Sequence, residues 1–169
     1  DILSSDPYGL TRLNGTQAVF AAWDGTNGDE LWVTDGTSAG TVMIDLNPGP
    51  GDSWPDYFQP ISGGRVLFQA SNGADGVEPW VTNGTVAGTF QLADIEAGGG
   101  SSSAGDFTDA GNGRVVFSAY SSATGYELWS TNGTIAGTAL EMDIVPGAGG
   151  SSPQKFATIG PGVVVFTAE

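Results

Sequence analysis

The sequence predicts an all-β protein of tandem four-stranded antiparallel blades, arranged as in a β-propeller. The segment Glu30–Thr41 recurs with few changes at Glu78–Thr89 and at Glu127–Thr138. Each repeat contains four short runs rich in β-branched and aromatic residues, and Gly and Asn separate these runs. No stretch has the apolar spacing of a helix, and glycine is too frequent for a long one.

The repeat has a regular period. The residues Phe20, Phe68, Phe117 and Phe166 end matching apolar runs and are separated by 48, 49 and 49 residues. The recurring tryptophans have the same spacing, at Trp32, Trp80 and Trp129. This period defines a single repeat domain, residues 1–169, with units at about 7–46, 55–95 and 104–144 and a partial fourth unit at 153–169.

The second repeat illustrates the four strands expected in each unit. They are Tyr57–Ile61, Arg65–Ala70, Val77–Thr82 and Thr89–Asp94. The first is expected to be the inner strand and the last the outer strand, with the Asn-Gly pairs forming type I′ turns. Segments rich in Gly, Pro and Ser then connect the blades, at Asn47–Pro55, Glu96–Gly105 and Val145–Pro153.

The apolar runs indicate how the blades pack. Val115–Phe117 and Val163–Phe166 are continuously apolar, which predicts strands covered on both faces. Identical sheets stacked face to face provide such cover, with the recurring tryptophans in the core. A β-trefoil is the alternative fold, and it is less favoured because its repeats are usually shorter and include no half repeat.

The ends of the chain predict self-association. Asp1-Ile2 matches Asp143-Ile144, so the chain is expected to begin at the end of an outer strand, and it ends after two strands of a fourth unit. Propellers usually contain at least four blades. Three and a half blades do not close a ring, so either residues are missing, or neighbouring chains complete the unit, or the blades stack in an open array. We expect the unpaired half blades at the two ends to pair with neighbouring chains, end to end.

Composition excludes several classes of function. The chain has 19 acidic and 4 basic residues and a net charge of −15, which disfavours nucleic acid as a partner. No apolar run approaches the roughly 18 residues needed to cross a membrane, so membrane insertion is not expected. The chain contains no Cys and no His, which excludes disulfides and the common Ser-His and Cys-His catalytic pairs. No catalytic residue is predicted.

Acidic side chains are the first candidate site residues. Three glutamates and three aspartates recur, at Glu30, Glu78 and Glu127 and at Asp45, Asp94 and Asp143. We predict that each carboxylate fixes its blade by accepting backbone hydrogen bonds in adjacent turns; a cation or sugar site in each blade is the alternative. Oxygen-rich loops also suggest calcium, with Asp24, Asp29 and Asp75 as possible ligands. No other cofactor is expected.

Two further features point to glycans. Asn14, Asn83 and Asn132 each begin an Asn-Gly-Thr glycosylation sequon. Trp54 does not recur and lies in a linker next to proline, so it is a candidate contact for a sugar or a neighbouring chain.

The recurring segment resembles the bacterial repeat family named after its own motif, ELWxxDGT. The match runs from Glu30 to Thr37 and continues with Ala39-Gly40-Thr41, while Pro79, Asn83 and Asn132 depart from the motif. The resemblance implies large exported or surface-associated bacterial proteins with many tandem copies, and it implies no chemistry. We therefore expect a non-enzymatic extracellular structural or adhesive protein, such as a fibre or surface-layer subunit. A carbohydrate-binding, lectin-like propeller is the alternative.

Overall fold

A computed structural model describes residues 5–169, which form fourteen β-strands and two short 3₁₀ turns. Sheet 1 contains β1 Tyr8–Arg12, β2 Ala18–Trp23, β3 Asp29–Thr34 and β4 Val42–Ile44. Sheet 2 contains β5 Asp56–Ile61, β6 Arg65–Ser71, β7 Val77–Thr82 and β8 Phe90–Gln91. Sheet 3 contains β9 Gly105–Asp109, β10 Val115–Ser121, β11 Gly125–Thr131 and β12 Ala139–Met142. Sheet 4 contains β13 Gln154–Gly160 and β14 Val163–Thr167.

Every sheet consists of strands that are consecutive in the chain and pair antiparallel. The prediction of an all-β fold with repeated four-stranded sheets is confirmed. A β-trefoil would pair strands from different repeats in one barrel, and no such pairing exists among residues 5–169. The outer strands are shorter than predicted; β8, for example, covers Phe90–Gln91 of the predicted Thr89–Asp94, and a 3₁₀ turn at Val86–Gly88 precedes it. The predicted strand end at Asp1-Ile2 lies outside the described residues.

The sheets stack face to face through two faces that differ in composition. We call the face that carries Phe20, Phe68 and Phe117 the leading face, and the face that carries Val19, Leu67 and Val116 the trailing face. The cross-strand pairing of Phe and Trp, as in Phe68 with Trp80, places the recurring tryptophans on the leading face.

Two hydrophobic clusters join the three complete sheets. In the first, Val19, Leu31 and Val33 from the trailing face of sheet 1 cluster with Phe68 and Trp80 from the leading face of sheet 2. In the second, Leu67 and Val81 of sheet 2 cluster with Phe117 of sheet 3, and Trp129 packs against them. Successive residues of a strand therefore lie on opposite faces, and the trailing faces of sheets 1 and 2 are each covered by the leading face of the next sheet.

The last apolar run is the exception to this rule. Val163 and Val165 are 49% and 46% exposed, so the prediction that this strand is covered on both faces is wrong. Val164 and Phe166 lie on the leading face and share a cavity of about 130 Å³ with Val116 of sheet 3. The trailing face of sheet 4 has no sheet against it among the described residues.

The first strands of successive sheets lie next to one another, as expected for inner strands. Each also contains a bulge, seen as an irregular register with the neighbouring strand. Four equivalent residues occupy left-handed backbone there: Gly9 (φ 66°), Tyr57 (56°), Asp106 (57°) and Lys155 (58°). Because these four residue types share no chemistry, the sequence gives no signal for the bulge.

Candidate functional site

The recurring glutamate joins neighbouring sheets. Glu127 is fully buried on β11 and extends into the linker that leads to sheet 4. Its Oε2 accepts hydrogen bonds from Ser151 Oγ at 2.6 Å and from the Ile144 N–H at 3.0 Å. Its Oε1 accepts from the Val145 N–H at 3.0 Å. Both carboxylate oxygens are therefore satisfied within the protein.

The serine that contacts the glutamate continues the connection into the next sheet. The carbonyl of Ser151 accepts the Glu169 N–H at 2.8 Å, and the carbonyl of Ser53 accepts the Ser71 N–H at the same distance. The carbonyl of Ser102 accepts the Tyr120 N–H in the same way. The glutamate, the linker serine and the second strand of the next sheet form one chain of hydrogen bonds, which we call the latch. The predicted backbone hydrogen bonds are confirmed for the glutamates. Of the recurring aspartates among the described residues, Asp94 accepts one, from the Gly98 N–H at 3.3 Å.

Sequence reasoning found the glutamates and missed the serines. Ser53, Ser102 and Ser151 are fully buried and are spaced 49 residues apart. That spacing equals the period of the repeat, so the signal was present in the sequence. It was hidden because the linkers are rich in serine, and a single recurring serine does not stand out there.

The three latches differ in electrostatics. Burial raises the pKa of Glu30 to about 7, and its Oε1 has no hydrogen-bond partner, while Oε2 accepts from the Leu46 N–H and from Ser53. Burial also raises the pKa of Glu78. Burial acts in the same direction on Glu127, but hydrogen bonds led by that from Ser151 outweigh it and hold the pKa below its ordinary value.

The rest of the motif builds a closed loop. In sheet 2, Asn83 Oδ1 accepts hydrogen bonds from the N–H and hydroxyl of Thr85, at 3.0 and 2.7 Å. The hydroxyls of Thr82 and Thr89 bond to each other at 2.7 Å and close the loop. A Cβ at Gly88 would lie 2.1 Å from Asn83 Oδ1, so a larger residue there would displace the asparagine side chain from these bonds. The same contacts recur around Asp35 and Asn132.

This loop corrects the turn predicted from Asn-Gly. A type I′ turn needs positive φ at both central residues. Gly84 has a φ of 84°, but Asn83 is not among the residues with positive φ. The asparagine side chain replaces a backbone turn by bonding two residues ahead, and this is why Asp35 serves equally well in the first repeat.

Of the predicted calcium ligands, Asp24 and Asp75 lie in local hydrogen-bonded turns, whereas Asp29 is the first residue of β3. Asp24 Oδ1 accepts from the N–H groups of Thr26 and Asn27, which lower its pKa. Asp75 accepts a hydrogen bond from the Asn72 side chain at 2.7 Å. The pKa of Asp29 is raised, mainly by burial and also by the negative charge of nearby Asp52. Within residues 5–169 no three acidic groups converge as metal ligands would.

The sequons occupy different surroundings. Asn83 and Asn132 are exposed at the tips of the motif loops, whereas Asn14 is half-buried. The Nδ2 of Asn14 donates to Gln17 at 2.9 Å, so the amide that would carry a glycan is engaged. Glycosylation remains a prediction at all three.

The leading face of sheet 1 is an apolar surface that no other sheet of residues 5–169 covers. Phe20 and Trp32 stack with their ring centroids 6.2 Å apart, and Trp23 lies beside them along a cavity of about 510 Å³. The equivalent pair in sheet 2, Phe68 and Trp80, is buried under sheet 1. The sequence predicted unpaired half blades at the two ends of the chain, but it did not identify which residues form the exposed faces of sheets 1 and 4.

Trp54 lies apart from both ends. It is 53% exposed on the linker between sheets 1 and 2, and it lines a separate cavity of about 390 Å³.

No helix among the described residues is long and apolar enough to span a bilayer.

Comparisons with known proteins give two structural neighbours. No protein-family profile and no curated protein matches the chain. The crystal structure of puromycin hydrolase matches at 18% identity over 99% of this chain and 34% of its own, with a TM-score of 0.39. A serine-to-alanine mutant of puromycin hydrolase in complex with PGG matches at 18% identity over 98% of this chain and 34% of its own, with a TM-score of 0.37. The chain therefore spans about a third of these structures, and this likeness assigns it neither activity nor substrate.

Proposed function

We propose that this chain is a non-enzymatic structural repeat protein whose propeller-like blades associate end to end with other copies. We place it outside the bacterial cell, in a fibre or surface layer. The observation that carries the proposal is an interface that recurs inside the chain, in which the trailing face of one sheet packs against the leading face of the next. The leading face of sheet 1 and the trailing face of sheet 4 each present one half of this interface.

The internal interfaces indicate what the two ends would do together. Between sheets 1 and 2, Leu13 and Val19 cluster with Phe68 and Trp80. At the equivalent positions of the open ends, the trailing face of sheet 4 has Ile159 and Val165, which are 67% and 46% exposed. The leading face of sheet 1 has the stacked pair Phe20 and Trp32. An end-to-end contact would repeat the internal interface, using different surfaces on the two partners.

The use of polar residues supports a structural role over a catalytic one. The recurring acids and hydroxyls of the motif are engaged in the latch and in the loop, inside the protein. No acidic insertion interrupts the repeat. The resemblance to exported repeat proteins and the shortage of basic residues support the extracellular location.

Sedimentation velocity over a range of concentrations tests end-to-end association. We expect the wild-type chain to form larger species as concentration rises and the variant Val165→Asp to remain smaller, because a charge in an apolar contact is costly. Val86→Asp is the matched control, since Val86 is 74% exposed on a turn of sheet 2 away from both ends. A wild-type monomer at every concentration contradicts the proposal.

The exposure of Trp54 favours a second candidate function, carbohydrate binding. An exposed indole beside polar groups suits the apolar face of a sugar ring. This function is compatible with a surface fibre, because the linker that carries Trp54 lies apart from the end faces.

A further inference from the structure

Trp54 occupies a backbone position that does not favour tryptophan. Its φ is 47°, in the left-handed region, where small polar residues and glycine are usual. The equivalent positions in the other repeats have the same backbone and hold Asp6 (φ 38°), Ser103 (48°) and Ser152 (47°). The other repeats therefore place small polar residues at this left-handed position. A large exposed aromatic there adds nothing to the repeat and points to a role in binding.

The cavity beside Trp54 is formed by three segments held close together. The linker between sheets 1 and 2 supplies Trp54, the β6–β7 hairpin supplies Gly73 and Gly76, and the next linker supplies Ser101. A Cβ on Gly76 would lie 1.7 Å from the Gly100 carbonyl oxygen, and one on Gly73 would lie 2.2 Å from Asn47 Oδ1. Glycine allows the hairpin to approach both linkers closely, which fixes the floor of the cavity.

Polar groups around the cavity are positioned by the protein. Ser101 Oγ accepts the Val77 N–H at 2.9 Å, so its own proton is available to donate. Asn47 Nδ2 donates to the Asp52 carbonyl at 3.0 Å, which orients the amide. Asp52 Oδ1 accepts the Asp29 N–H at 2.8 Å, and this bond orients the carboxylate at the edge of the cavity. One donor and two acceptors therefore flank the indole in fixed positions.

We propose that this cavity, with Trp54 as its platform, binds a neutral oligosaccharide. A pyranose ring presents an apolar C–H face to the indole and hydroxyls at its rim, which both donate and accept hydrogen bonds. Ser101 donates to one sugar hydroxyl, and Asn47 and Asp52 each accept from a different one. The net charge of −15 and the carboxylate of Asp52 disfavour uronic acids and sulfated sugars. The inference builds on the second candidate function and is independent of end-to-end association.

Calorimetric titration with soluble hexasaccharides tests this site. The probes are β-linked glucose, N-acetylglucosamine and xylose, α-linked mannose, and oligogalacturonate as the anionic counterpart. We expect saturable binding of at least one neutral hexasaccharide at one site per chain, with oligogalacturonate bound at least about tenfold more weakly. Absence of binding by all four neutral sugars overturns the proposal.

Trp54→Ser tests the platform itself. Ser103 and Ser152 show that serine suits this backbone, so the variant is expected to fold and to lose about tenfold or more in affinity. Tyr57→Asp is the matched control, because Tyr57 is 52% exposed on similar left-handed backbone and Asp106 occupies the equivalent position. Equal binding by wild type and Trp54→Ser, or a loss as large in Tyr57→Asp, overturns the assignment.

A third variant separates this site from the end faces. Val165→Asp is expected to bind the same hexasaccharide as tightly as wild type, even at concentrations at which the variant no longer associates with other copies of the chain. If Val165→Asp abolishes sugar binding together with association, the saccharide requires the assembled form, and the cavity of the single chain is not the site.

Discussion

Ser151 Oγ lies 2.6 Å from a carboxylate oxygen of Glu127, and this contact connects sheet 3 to the linker of sheet 4. The Ser151 carbonyl then accepts the Glu169 N–H that follows the second strand of sheet 4. A single buried acid on one sheet therefore holds the backbone of the next. Its recurrence at Glu30 and Glu78 explains why the motif begins with glutamate.

Glu127→Gln is expected to destabilise the protein. Both oxygens of Glu127 accept backbone or serine donors, so an amide NH₂ would face an N–H and leave a buried bond unmade. The expected loss is about 1–3 kcal/mol in the free energy of unfolding, measured by urea denaturation at neutral pH. Glu30→Gln is the comparison, because burial raises the pKa of Glu30 to about 7, so its neutral form is already substantially populated at neutral pH and a neutral amide is expected to cost less there. Equal losses in the two variants would contradict this reading of the latch.

The stability contributed by Glu30 is expected to depend on pH. Its pKa is raised by burial from 4.5 to about 7, so between these values the folded state holds the proton more tightly than the unfolded state. The contribution is therefore complete below the unfolded pKa and is lost as the pH rises through about 7. Relative to wild type, Glu30→Gln should gain stability between about pH 5 and about pH 8. A stability difference that is constant across this range would show that Glu30 does not titrate as described.

Gly88→Ala is expected to disrupt the motif loop of sheet 2. The new methyl group would meet Asn83 Oδ1 at 2.1 Å and displace it from Thr85. We expect a loss of about 1–2 kcal/mol in the free energy of unfolding. Gly15→Ala is the control, since a Cβ at Gly15 meets nothing within 4 Å. If both substitutions are tolerated, the loop does not depend on this glycine.

Arg65 connects sheet 2 to the motif loop of sheet 3. Its guanidinium donates to the carbonyls of Gly133 at 2.8 Å and Asn132 at 3.3 Å. Arg65→Ala should cost about 1 kcal/mol or more, because a charged donor would be lost from an interface between sheets. Arg12→Ala is the control, since the exposed Arg12 bonds only within its own turn, to the Asn14 carbonyl. Thermal or urea denaturation of both variants provides the comparison.

The repeat explains what the sequence could and could not predict. The four-strand pattern and the role of Glu30, Glu78 and Glu127 follow from residue types that recur at a fixed spacing. The bulge at Tyr57 could not be predicted, because the backbone recurs there while the side chain does not. Burial of the last strand was wrongly predicted, since composition cannot indicate whether another sheet lies against Val165.

Chemical cross-linking of two engineered variants tests the end-to-end contact most directly. The natural chain has no Cys, so Phe20→Cys and Val165→Cys each introduce a single thiol, one on each end face. Stacked sheets lie about 10 Å apart, which a short bismaleimide can span. We predict covalent dimers when the two variants are mixed, and few or none with either variant alone. Equal cross-linking in each variant alone, or none in the mixture, would contradict end-to-end association.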